Sequence, residues 1–322
     1  MQTHDPNAQG TDPAPSPPPA PPSPPPTPPT PAPPRPRRAP VYRVFIGAVL
    51  VGFLAIGAVY GVTATVLSAT GLDAAQIAAR FESDALFMLL LMMPMQVVLV
   101  TAALLTTQKW ARRERVPVAA ALGLVRPRLG ATGWALVLTA TGIPFALAVC
   151  AATLVPSMGG APEKIDAMWK TMPIGIAVAW VLVIGAMPGL CEELFFRGFV
   201  QRRLMQRHGP AAAIGITSVL FAILHIDPPA MMLALVLGVW LGYVAWRTGS
   251  VLLTVVIHAS INSVWNALQI VGRRVDLPEA FWWTVSGVFV VVSLVCFVGA
   301  MRLLMRKVPP PVAAGSDSPR VR

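Results

Sequence analysis

The chain predicts an all-α, polytopic membrane bundle of about eight transmembrane helices, preceded by a Pro-rich tail without fixed structure. Three observations predict it. First, 55% of the 322 residues are hydrophobic and only 12% are charged, whereas a soluble domain carries about 25% charge. Second, the apolar residues gather in windows near 44–69, 86–106, 132–154, 173–193, 211–226, 230–246, 250–270 and 281–304. Most of these approach the about 20 residues that a hydrocarbon core demands. Third, Lys and Arg collect around alternate loops, as in segments that face the cytoplasm.

Residues 1–40 hold 18 of the 34 prolines, which favours polyproline II and forbids a packed core. The tail reads as a cytoplasmic spacer, with docking to an SH3-like partner as the alternative. The first window begins after Arg43 and is too long for a cleavable signal peptide, so it serves as its own insertion signal. The fifth and sixth windows are short and are expected to be tilted, distorted or partly re-entrant. Basic residues mark the N-terminal flank (Arg35, Arg37, Arg38, Arg43) and the 107–131 loop (Lys109, Arg112, Arg113, Arg115, Arg126, Arg128). They recur at Arg202, Arg203, Arg207 and Arg247, then at Arg302, Arg306 and Lys307. The opposite loops hold Asp73, Glu82, Asp84, Glu163, Asp166, Asp276 and Glu279. Both termini are therefore expected in the cytoplasm. The Ala/Pro/Arg-rich composition points to a GC-rich bacterium and its inner membrane.

The net charge of +11 would suggest a nucleic-acid partner in a soluble protein. No aromatic interleaving or nucleic-acid motif accompanies it here, so membrane lipid and membrane-associated peptides are the expected partners. Cys150, Cys191 and Cys296 lie in or beside apolar segments at no metal-ligand spacing and read as packing residues. The domain order that follows is a disordered tail (1–40), N-terminal transmembrane helices (41–170), a chemistry-bearing core (171–275), a last transmembrane helix (276–307) and a second disordered tail (308–322).

The core earns its description from polar residues at membrane depth, where a carboxylate is costly unless paired, hydrated or protonated. Glu192-Glu193-Leu194-Phe195-Phe196-Arg197 reads E-E-x-x-x-R. Adjacent helical residues point about 100° apart, so the two carboxylates diverge. Glu193 and Arg197 share a face in the favourable order for an ion pair, leaving Glu192 free. Phe221 and His225 form F-x-x-x-H, ahead of the helix stop Asp227-Pro228-Pro229. His258 and Asn262 form H-x-x-x-N. Taken singly, each motif has a plain alternative: snorkelling charges, a capping histidine, and a helix–helix hydrogen bond. Depth links them. Glu192 lies about 15 Å before Arg202, His258 about 12 Å and Asn262 about 18 Å from Ser250, and His225 about 22 Å beyond Pro210.

In this order and about 30 residues apart, the three motifs resemble those of the CPBP intramembrane proteases. That family includes the type II CAAX prenyl proteases and bacterial bacteriocin-processing or immunity (Abi) proteins. The resemblance spans about 175–270 and also fits a bundle of about eight helices. It implies that Glu192 is the catalytic glutamate with His225 beside it, that His258 and Asn262 stabilise the transition state, and that Glu193, Arg197 and Phe221 support them. The implied activity is endoproteolysis of membrane-associated substrates.

The residues suit that chemistry. A carboxylate stripped of water is a stronger base, able to accept a proton near neutral pH. Imidazole and amide donors can meet a developing oxyanion where little water screens them. A zinc version is also open, with Glu192, His225 and His258 as ligands and Glu193 as base. The metal-free glutamate mechanism is favoured, because there is no H-E-x-x-H and each ligand comes from a different helix. A non-catalytic scaffold or immunity protein and a proton-coupled transporter are the competing classes, though no duplicated halves support the latter.

Overall fold

The computed structural model describes residues 41–157, 162–275 and 278–306. Both tails (1–40 and 307–322), Arg35, Arg37, Arg38, Lys307 and Asp276 lie outside the described residues, and with them the expected spacer and its SH3-like partner. Every regular element among the described residues is helical. Seven runs among the described residues are long and apolar enough to cross a membrane, and the protein is an integral membrane protein.

The eight expected windows fall on seven runs for a local reason. The fourth and fifth windows lie on one run, Ile174–Ile223, kinked at Gly209. It comprises α8 (Ile174–Trp180), a π-helical segment (Val181–Ala186), α9 (Met187–Glu193), a second π-helical segment (Leu194–Gln201) and α10 (Arg202–Ile223). The run turns at Gly209, with φ 72° and ψ 170°, a backbone state open chiefly to glycine. Pro210 follows and has no N–H to continue the ladder. The run is thus two legs, separated where the sequence breaks its apolarity.

Other boundaries moved as well. Of the elements preceding α8, the first is α1 (Val41–Ala69), and the acidic loop after it contains α2 (Ala74–Ser83). Asp73 accepts a hydrogen bond from the Gln76 N–H, and the Gln76 side chain accepts one from Asp73 N–H, closing a capping box. Next, α3 (Ala85–Glu114) runs far enough to carry Lys109, Arg112 and Arg113 on helix rather than loop. A single turn, α4 (Val118–Leu122), follows. The third window is α5 (Ala131–Ala140) and α6 (Gly142–Thr153), joined at Thr141. The Thr141 hydroxyl donates to the Val137 carbonyl and accepts from Trp240 Nε1. A short polar helix, α7 (Pro162–Thr171), is tied to α2 by Lys164–Glu82 at 2.5 Å. The chain ends in α11 (Pro228–Thr248), α12 (Val251–Arg274) and α13 (Glu279–Arg306).

The packing places α9 between α3 and α12. On the α12 side, Gly185 and Gly189 sit one turn apart and oppose Ser263 and Ala259. A Cβ on Gly189 would lie 2.5 Å from the Ala259 nitrogen. This small-residue seam lets the two backbones touch, the usual device where the hydrophobic effect cannot drive helices together. On the other side α3 leans on α1, with Met95 filling the space over Gly52. Beyond α9 the second π segment buries Phe195, Phe196 and Phe199 against Phe45 of α1 and Phe221 of α10. These contacts enclose the end of α9 in packed aromatic side chains.

Candidate active site

The last two residues of α9 are Glu192 and Glu193, and the following helix is π-wound. Wide π turns commonly mark functional positions in helices. The divergence expected from helical geometry is present: the two carboxylates have different partners. Glu193 and Arg197 are both wholly shielded from solvent, and Arg197 Nη1 donates to Glu193 Oε1 at 2.7 Å. The Arg197 guanidinium also reaches the Gly238 carbonyl at 3.3 Å and lies 4.6 Å from the Phe221 ring centre. A charge at this depth requires such a set of partners.

His258 on α12 joins the pair. Its Nδ1 lies 2.9 Å from Glu193 Oε1, and its Nε2 lies 3.9 Å from Glu192 Oε2. A carboxylate held by a guanidinium is an acceptor, so Nδ1 carries a hydrogen towards Glu193 and Nε2 faces Glu192. The imidazole therefore stands between the two glutamates, an arrangement that the motif spacing alone did not disclose. Its side chain is 8% exposed and that of Glu192 13%, against none for Glu193.

Glu192 is held from a helix that the motifs do not include. Gln96 of α3, buried within the bundle, donates from Nε2 to Glu192 Oε1 at 2.8 Å. Glu192 thus takes a partner from the N-terminal helices, outside the 171–275 core expected to carry the chemistry. The one available signal was a lone carboxamide inside an apolar span, two residues after Pro94.

Phe221 and His225 share a face as the spacing requires, with ring centres 5.0 Å apart and nearly perpendicular. Phe221 also meets His258 edge-on at 5.9 Å, so one phenyl ring separates the two imidazoles. His225 lies just past the end of α10, its Nδ1 3.1 Å from the Phe221 carbonyl. That oxygen can only accept, which again leaves Nε2 as the open nitrogen. The next residue, Ile226, has φ 59°, a strained state for a β-branched residue. No hydrogen bond joins His225 directly to Glu192.

Asn262 lies one turn beyond His258, half-buried, and its carbonyl accepts from Asn266 Nδ2 at 2.8 Å. Asn266 in turn accepts from Trp180 Nε1 at 2.8 Å, which pins this part of α12 to α8. The structure thus gathers Glu192, Glu193, Arg197, His258 and Phe221 by direct contact. His225 attaches through Phe221, and Asn262 is adjacent along α12. Among the described residues, no three His, Cys, Asp or Glu side chains stand where they could hold one metal ion. Of the candidate zinc set, Glu192 and His258 approach each other at 3.9 Å, and His225 is joined to them through Phe221.

The family comparison falls on this same segment. Residues 173–264 match the model of the type II CAAX prenyl endopeptidases, Rce1-like. This segment resembles that family. The match agrees with the CPBP resemblance carried by the three motifs, and it supports an intramembrane endopeptidase. It includes Glu192, His225, His258 and Asn262 and excludes Gln96. No curated protein and no solved structure matches the chain.

Proposed function

We propose that the protein is an intramembrane endopeptidase in which Glu192 activates water against a peptide bond of a membrane-associated substrate. The observation that carries this reading is the division of labour between adjacent glutamates. Arg197 and His258 share Glu193 Oε1, and the unpartnered Oε2 of Glu193 is sealed from solvent. Glu192 keeps one oxygen 3.9 Å from the open nitrogen of His258. That gap is too long for a direct hydrogen bond and suits a bridging water or substrate oxygen.

In this mechanism the bridging water donates one hydrogen to Glu192 Oε2 and the other to His258 Nε2. Glu192 takes the first proton as the oxygen attacks the scissile carbonyl carbon. The Asn262 carboxamide, one turn away, provides donors for the oxyanion. The C–N bond then breaks, and the proton held by Glu192 passes to the leaving amine. His225 lies at the edge of the same site with Nε2 available for proton exchange. No step uses a metal ion.

The Rce1-like resemblance suggests a substrate with a C-terminal tail behind a lipidated cysteine, and bacteriocin-like peptides remain the alternative class. The charge bias of the loops favours cytoplasmic termini and a bacterial inner membrane. The test is reconstitution of the purified full chain in liposomes with two probes. One peptide ends in a prenylated cysteine followed by three residues; the other is an unlipidated hydrophobic peptide. Each is assayed with and without a chelator. Cleavage of the prenylated peptide that survives the chelator is expected. Activity abolished by the chelator and restored by Zn²⁺ would reject the metal-free mechanism, and cleavage of neither peptide would count against the protease reading.

A further inference from the structure

We propose that Gln96 is a positioning residue of this site, one that fixes which oxygen of Glu192 performs the chemistry. The inference rests on the reading of Glu192 as the base. An ionised carboxylate only accepts hydrogen bonds, so the Gln96 amide must turn its N–H₂ towards Glu192 and its carbonyl oxygen away. Nε2 then occupies Oε1 at 2.8 Å. Oε2, the oxygen left over, is the one that lies 3.9 Å from His258. Without Gln96 the carboxylate would be free to rotate about its terminal torsion and present either oxygen at either angle.

Two features separate this contact from ordinary helix glue. Gln96 is only 7% exposed, and its side-chain carbonyl oxygen has no hydrogen-bond partner. Burying a half-satisfied amide is unfavourable compared with an apolar side chain of similar size. Stability alone would therefore favour Leu or Met here, as at the surrounding positions Leu90, Leu91, Met92, Met93, Met95 and Val97. The backbone beneath Gln96 is also fixed: α3 is wedged between α1 and α9, and Met95 fits over Gly52. A donor mounted on so constrained a helix aims one bond in one direction, as an orienting group should.

The test compares Gln96→Met and Gln96→Leu with native protein and with Glu192→Gln, all as full chains in liposomes, using whichever of the two peptides the native chain cleaves. Gln96→Met is expected to lower kcat by about tenfold to a hundredfold, the usual penalty for a misplaced catalytic group. KM should stay within about twofold of native, because the amide is assigned no contact with substrate. The melting temperature in detergent should hold or rise, since the unsatisfied oxygen is gone. Glu192→Gln should be inactive in the same assay. Native kcat in both Gln96 variants alongside an inactive Glu192→Gln would overturn the role of Gln96 alone. A parallel loss of kcat and melting temperature would also overturn it, as the signature of a structural contact. Retained activity in Glu192→Gln would instead remove the base on which the inference stands.

Discussion

The two sides of α9 solve the same problem in opposite ways. Towards α12 and the second π segment, Glu193 meets a guanidinium and an imidazole and is wholly buried. Towards α3, Glu192 meets a neutral carboxamide and keeps partial exposure. A charge sealed from solvent and held by countercharge at close range builds structure. A charge held by one neutral donor, with an oxygen to spare beside an imidazole, remains reactive. Residue type does not separate these neighbours; their partners do.

That contrast can be broken most severely on the matched side. Arg197→Met leaves Glu193 buried without its counterion, a situation that typically costs about 3–5 kcal/mol. The variant should lose folded protein on mild heating in detergent, well below the native melting temperature. If it melts with the native protein, the buried pair is not what holds this part of the bundle. A smaller effect should come from the seam that sets the distance between the sides. Gly189→Leu would drive a side chain into Ala259, where even a Cβ meets backbone at 2.5 Å. Separating α9 from α12 by about 1 Å should cost about a hundredfold in kcat. Turnover close to native would mean that this contact does not control the site's geometry.

Much of this arrangement was legible because it is helical and local. The i, i+4 spacing alone gave the Glu193–Arg197 pair and the Phe221–His225 contact. Hydropathy placed the spans, including the break at Gly209, where the chain kinks between the two legs. Gln96 was not legible in the same way. Its link to Glu192 spans 96 residues of sequence, and a single neutral amide has no period or partner spacing to announce it. The role of His258 as a bridge between both glutamates was hidden for a related reason. Spacing tells which residues share a face of one helix, but not how closely two helices approach. That approach depends on Gly185 and Gly189 meeting Ser263 and Ala259.

The most direct measurement sets Glu192→Gln beside Glu193→Gln, recording peptide cleavage and thermal melting on the same preparations. If the partners of each carboxylate decide its task, Glu192→Gln melts like the native chain and loses about 10²–10⁴-fold in turnover, whereas Glu193→Gln melts markedly lower. A Glu192→Gln protein that still cleaves at the native rate, or a pair of variants that behave alike in both readouts, would contradict the account.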